Sequence, residues 1–132
     1  NQKIYNFTIS KVDISGETAI NTIFRRALEN YTKEKSKNNY EIVINSEIIK
    51  EVISRDTKGD AASYKLTLLT SVFVLNYQKE KTTSKYKETF EYMDNDDSFE
   101  LRQYEYTIKR NLAENTINEI ILNIARIKDN AN

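Results

Sequence analysis

Histidine, cysteine and proline are all missing from this chain of 132 residues, which holds only two glycines and one methionine. Each absence removes a class of chemistry. Without histidine or cysteine the usual zinc sites, the Ser–His and cysteine nucleophile systems and thiol redox chemistry are excluded. No disulfide reports on the redox compartment. No apolar run is long enough to span a bilayer, and no stretch reads as a signal peptide. Net charge is missing too, because 20 basic side chains balance 20 acidic ones. Such a balance gives no bulk pull toward nucleic acid or an anionic membrane, so any polyanion site must be local. The length suits one domain over residues 1–132 with a single modest core. The chain starts with "NQKIYNFTIS", already strand-like, which predicts a processed boundary just upstream.

What is present is patterned. In "KIYNFTISKV" Tyr5, Phe7 and Ile9 alternate with Asn6, Thr8 and Ser10, the period of a half-buried strand. "DISGE" breaks it, and Ser15 or Gly16 is expected to start a helix. From Glu17 to about Lys33, Ile20, Ile23, Phe24, Ala27, Leu28 and Tyr31 form one apolar helical face. A polar loop, "KEKSKNN", follows. "YEIVINSEIIKEVISRDT" reads as a second strand whose alternation slips at Asn45–Ser46, which predicts a bulge or a change of buried face there.

The turn "RDTKGDA" contains Gly59, the natural residue for a positive φ angle. It launches "ASYKLTLLTSVFVL", a strand apolar on both faces from Leu69 to Leu75. Either a partner covers its second face or the strand is central within its own fold. "QKEKTTS" is expected to turn the chain into a shorter strand, "KYKETFEYM". After the loop "DNDD", a last helix is expected from about Ser98 to Ile127, with Asp97 and Glu100 resembling a capping box. The order β-α-β-β-β-α predicts an α+β fold: a two-layer sandwich with both helices packed on one face of a four-stranded mixed sheet.

Few residues offer chemistry. Asp94, Asp96, Ser98 and Glu105 fall at the first, third, fifth and twelfth places of an EF-hand count, but Phe99 stands where that loop needs glycine. Helix capping is the better reading, and no metal or cofactor is expected. An enzyme would have to use carboxylates and tyrosines alone, and nothing places two acids in an apolar pocket. The nine tyrosines suit an interface, although strand and helix spacing also explains many as packing residues.

Three segments, in order, resemble the LptE family of lipopolysaccharide-assembly lipoproteins. "KGDAASYKLTL" is similar to the family's basic residue and glycine before a tyrosine that opens a long strand. "INTIFRRALENY" resembles its first helix. "TFEYMDNDDSFELRQYEYTIKRNLAENTINEIILNIA" resembles its fourth strand, its "D-N" loop and its long last helix. The proline often found after "D-N" is absent, and a lipidated cysteine would lie upstream of Asn1. The resemblance implies a non-enzymatic, lipid-anchored protein on the periplasmic side of the outer membrane. It implies a plug that helps assemble an LptD-type β-barrel and binds lipopolysaccharide, with no nucleic acid partner. The family's lipid-binding cations correspond to Lys58 and Arg102, with Arg55 nearby. Lys58 stands where the family has arginine, so it offers a point charge in place of a bidentate fork. The alternative is a free-standing periplasmic soluble domain that binds a small ligand or peptide.

Overall fold

The computed structural model describes residues 5–32 and 38–130, with side chains through residue 127. Strand β1 (Thr8–Ser15) leads to helix α1 (Thr18–Leu28) and one 3-10 turn (Glu29–Tyr31). Three long strands follow, β2 (Asn39–Arg55), β3 (Ala61–Leu75) and β4 (Lys81–Met93), and then helix α2 (Ser98–Asn130). The sheet order is β1-β2-β3-β4. β1 runs parallel to β2, as a crossover through a helix allows, while the two tight turns make β2–β3 and β3–β4 antiparallel. Both helices pack on one face, giving the α+β sandwich with the expected order. The expected strand start at Lys3 and most of the "KEKSKNN" loop lie outside the described residues.

The start of α1 differs from expectation, and the difference explains the break in β2. The N-cap is Glu17, with no side-chain cap, so neither Ser15 nor Gly16 begins the helix. Gly16 instead has φ +127°, and a Cβ there would lie 2.5 Å from both the backbone oxygen and Oγ of Ser46. The chain crosses directly over β2 at this point. Ser46 is therefore small and polar, yet it is buried and keeps the inward phase of Tyr40, Ile42 and Ile44. No bulge or change of face occurs at Asn45–Ser46. The pairing with β3 is continuous there, and its register shifts fall at Val52–Ser54 and Ser54–Arg55.

α1 is held by Ile20, Phe24 and Leu28, one residue every four, all buried. It ends at Leu28 because the last residues of the periodic run tighten into the 3-10 turn, where Tyr31 stacks on Phe7 with ring centroids 4.2 Å apart. β4 is longer than its expected core. The turn is Asn76–Glu80, closed by Asn76 Oδ1 accepting from the N–H groups of Gln78 and Glu80, so "KTTS" already belongs to the strand.

Val72 and Val74 of β3 are buried under the helices. By strand alternation Leu69, Phe73 and Leu75 point to the other face, where they are half-buried and no helix among the described residues covers them. The Lys81 ammonium lies 4.4 Å from the Phe73 ring centroid on that face.

α2 has 33 residues, about 50 Å at 1.5 Å per residue. β3 has 15, also about 50 Å at 3.3 Å per residue. The two elements are thus similar in length, and α2 overlies the sheet from Tyr92, bonded to Glu105, to Tyr86, bonded to Asn123. Ile108, Leu112, Ala113, Ile117, Ile120, Ile121 and Ile124 form its buried stripe.

The two glycines should respond differently to substitution. Gly59 has φ +89°, and a Cβ there would meet nothing within 4 Å, so Gly59→Ala meets only backbone strain of about 1–2 kcal/mol. Gly16→Ala adds a backbone collision worth a further ~1–3 kcal/mol. Urea unfolding of both variants should show the larger loss at Gly16. Equal losses would mean that the approach to Ser46 is not a constraint.

Candidate functional site

The β2–β3 turn is built by Asp56. Its Oδ1 accepts from the backbone N–H groups of Lys58 and Asp60, each at 2.9 Å, and its backbone oxygen accepts from Gly59 N–H at 3.0 Å. Aspartate folds a turn in this way because its short side chain imitates a backbone acceptor. Arg55 donates from Nη1 to the Gly59 oxygen at 2.9 Å, so part of its guanidinium closes the turn. Lys58 projects into solvent, and the positive φ of Gly59 shapes the tip that presents it.

The start of α2 lies at the same end. Asp94 N–H donates to the Ala62 oxygen at 2.9 Å, which ties the "DNDD" loop to the first residues of β3. Asp97 caps the helix, its Oδ1 accepting from Phe99 N–H at 2.9 Å and Glu100 N–H at 3.2 Å. The reciprocal half of the capping box is replaced. Asn95 Oδ1 accepts from Asp97 N–H, and Asn95 Nδ2 donates to Glu100. Among the described residues no group of three or more acidic side chains is arranged to hold a metal ion. Arg102 follows on the first turns, exposed. Lys58 and Arg102 thus share one end of the sandwich, and no ion pair among the described residues engages either.

Behind this end the apolar seam gives way to a polar clamp. Lys50 on β2 meets Glu105 on α2 at 2.7 Å, with Glu105 15% and Lys50 42% exposed. Tyr92 on β4 donates its hydroxyl to the same carboxylate. Lys50 also sits 4.3 Å from the Tyr64 ring centroid, and Tyr64 OH donates to Asp94 at 3.2 Å. The Tyr64 and Tyr92 rings are 5.5 Å apart, and Tyr104 meets Tyr92 edge-on at 6.0 Å. One carboxylate therefore joins β2, β4 and α2.

Burial pushes the Glu105 carboxyl up, but the hydrogen bonds from Lys50 and Tyr92 outweigh it and hold the group below its ordinary value. Burial, followed by the Glu105 hydrogen bond, raises the Tyr92 phenol well above its ordinary value. Both groups keep one charge state near neutrality, so the clamp holds its ion pair and hydrogen bond there.

Sequence reasoning singled out Lys58, Arg102, Arg55 and Gly59 but not this clamp. A signal was present. Lys50 continues the inward phase of Ile44, Ser46 and Ile48, and Glu105 lies between Leu101 and Ile108 on the inward stripe. Two opposite charges at inward positions of facing elements predict a pair.

No family model matches the chain, and no curated protein matches it by sequence. Solved structures do. The chain is similar to the rare lipoprotein B of Shewanella oneidensis, with a TM-score of 0.72 and 13% identity over 91% of this chain and 97% of that one. It is similar to a lipoprotein B from Nitrosomonas europaea, with a TM-score of 0.68 and 14% identity over 95% and 86%. A minor lipoprotein from Acinetobacter baumannii gives a TM-score of 0.68 and 12% identity over 95% and 94%. The likeness is one of fold. It extends over nearly the whole of each chain, so the arrangement of two helices on a four-stranded sheet recurs in bacterial lipoproteins.

The clamp makes stability depend on pH. The folded-state pKa of Glu105 lies below the unfolded value, so its contribution is complete above the unfolded value and fades as pH falls through the lowered one. Urea midpoints taken from about pH 7 to about pH 3 should fall for the wild type, and Glu105→Gln should lose part of that dependence. An unchanged profile would show that the carboxylate contributes nothing to the acid limb.

Proposed function

We propose that the chain is a non-enzymatic, LptE-like lipoprotein domain that seats in an LptD-type β-barrel at the periplasmic side of the outer membrane. In this reading it assists assembly of the barrel and binds lipopolysaccharide. In this reading the anchor is lipid on a cysteine upstream of Asn1, left at the N-terminus when a signal peptide is removed.

The observation that carries the reading is the character of one end of the sandwich. Lys58 and Arg102 are exposed there without ion-pair partners among the described residues. Val52, Ile53, Met93 and Phe99 are exposed at the same end. Cations beside apolar side chains suit an amphipathic anion, with phosphates on the ammonium and guanidinium groups and acyl chains on the apolar surface. Arg55 adds a third cation, with Nη1 already engaged by the turn. The uncovered sheet face, with Leu69, Phe73 and Leu75 half-buried, suits contact with a surrounding wall. The fold shared with bacterial lipoproteins and the three ordered sequence segments support the same reading.

A second reading rests on a different feature. Between α1 and α2 lies a groove of about 650 Å³ lined by Ile23, Arg26, Arg110 and Ile117 among others, with two arginines against the single carboxylate of Glu114. It favours a free-standing periplasmic domain that binds a small anionic ligand.

Two measurements separate them. Lys58→Glu/Arg102→Glu protein should bind purified lipopolysaccharide at least about ten-fold more weakly than wild type, a loss of ~1.4 kcal/mol. Equal binding would remove the site assignment. Tagged, lipidated protein should recover a stoichiometric β-barrel from detergent-solubilised outer membranes of its source. Recovery without a barrel, where the barrel is present and soluble, would leave the soluble binding domain as the better account.

A further inference from the structure

β4 is an edge of the sheet, and its outer side pairs with nothing among the described residues. Its backbone orientation can be worked out from its two ends. The Glu80 carbonyl accepts from Asn76 N–H, and Asp94 N–H donates to the Ala62 oxygen, so both residues direct these groups toward β3. The β3–β4 register has no shift between them. Alternation then turns the N–H and C=O groups of Thr83, Lys85, Lys87, Thr89 and Glu91 outward. An unbroken row of donors and acceptors faces solvent along most of a 13-residue strand.

Such an edge is a template for another strand unless something blocks it. Here the side chains select rather than block. Lys81, Lys85 and Lys87 all point to the uncovered face of the sheet. Their cross-strand neighbours on β3 are Leu75, Ser71 and Leu69, none of them acidic. Lys85 and Lys87 have no ion-pair partner among the described residues. A second copy of β4 laid antiparallel with Lys85 beside Lys87 would repel at the centre, while Lys81 would face Glu91 at each end, so a segment acidic opposite Lys85 and Lys87 fits the edge better than a second copy.

The other face of the same strand offers a groove. About 400 Å³ of space lies between β4 and α2, lined by Phe90, Tyr104, Ile108 and Leu112 with Glu88 and Asn111. Phe90 is 44% and Tyr104 48% exposed. Alternate side chains of a strand added to β4 would point into this groove, and the intervening ones would lie beside the lysines.

We infer that β4 is a docking edge for an extended peptide segment of another protein, acidic at the positions beside Lys85 and Lys87 and apolar at the alternate positions that enter the groove. Backbone pairing holds the segment, the lysines choose its charge, and Phe90 and Tyr104 receive its apolar side chains. This inference does not rest on lipopolysaccharide or a barrel. It uses an edge and a groove away from Lys58 and the β2–β3 turn.

The test uses the whole chain and a synthetic peptide of about nine residues that alternates glutamate with leucine or valine. Titration followed by amide NMR should perturb β4 and the groove face of α2. It should also slow hydrogen exchange at the outward N–H groups of Lys85, Lys87 and Thr89. A peptide with lysine in place of glutamate should bind at least about ten-fold more weakly.

Lys85→Glu/Lys87→Glu should reverse that preference. Thr89→Pro removes an outward donor without touching the β3 ladder, so it should stay folded and lose binding. If Thr89→Pro does not fold, a peptide N-methylated along one edge makes the same test on wild-type protein. No binding of the acidic peptide, binding indifferent to its charge, or shifts confined to the α1–α2 groove would each overturn the inference.

Discussion

The structure depends on a constraint of length. One helix must cover β3 and β4 along a seam that runs from Glu105, bonded to Tyr92, to Asn123, bonded to Tyr86, about 27 Å of α2 at 1.5 Å per residue. Apolar side chains supply most of it. Ile108 through Ile124 pack down on Leu66, Leu68, Val72 and Val74, with α1 filling the space beside them. Toward the first turns of α2 this supply runs out, and Glu105 takes over, held by Lys50 and Tyr92. A half-buried carboxylate needs partners that satisfy its charge, and such partners must be positioned accurately. The ion pair adds a requirement of distance between helix and strand, with its ammonium and carboxylate 2.7 Å apart.

That placement matters for what the end presents. Lys58 rides on a turn set by Asp56 and closed by Arg55, and Arg102 rides on a helix capped by Asp97. Neither cation is held by a side chain of its own. The clamp joins the two supports three residues from Arg102 on α2 and eight residues from Lys58 along β2 and its turn. The backbone under each cation is thus fixed, while the two exposed side chains keep their own rotamer freedom.

Much of this was legible in the sequence. The order β-α-β-β-β-α, the apolar face of α1 and the extent of α2 follow from periodicity, because burial on one side writes a repeat into the chain. The break at Asn45–Ser46 misled for an instructive reason. Ser46 is inward, but Gly16 crosses above it, and a larger side chain would collide with that crossing. A contact between residues 30 apart leaves no local repeat, so it reads as an irregularity. The tyrosines illustrate the same limit. Tyr31, Tyr40, Tyr86 and Tyr92 are buried while Tyr77, Tyr104 and Tyr106 are exposed, and composition does not separate the two groups. The clamp was readable only by aligning the inward phases of two elements before their pairing was known.

A net charge of zero conceals a divided surface. On the uncovered sheet face Glu41, Glu47 and Glu51 form a column on β2, while Lys81, Lys85 and Lys87 form one on β4. β3 stands between them, so the columns are about 10 Å apart at the usual strand spacing. That is close to the Debye length at physiological ionic strength, and exposed charges at this distance neutralise each other weakly. Lys65 on β3 lies 4.0 Å from Glu51, and Lys79 in the β3–β4 turn pairs with Glu41. The acidic column thus has cations of its own, while the basic column has no acidic neighbours across the strand. The balance of 20 against 20 is a property of the whole chain. What a partner meets at β4 is a locally positive edge beside an apolar groove, and it is the local field that decides which segments can approach.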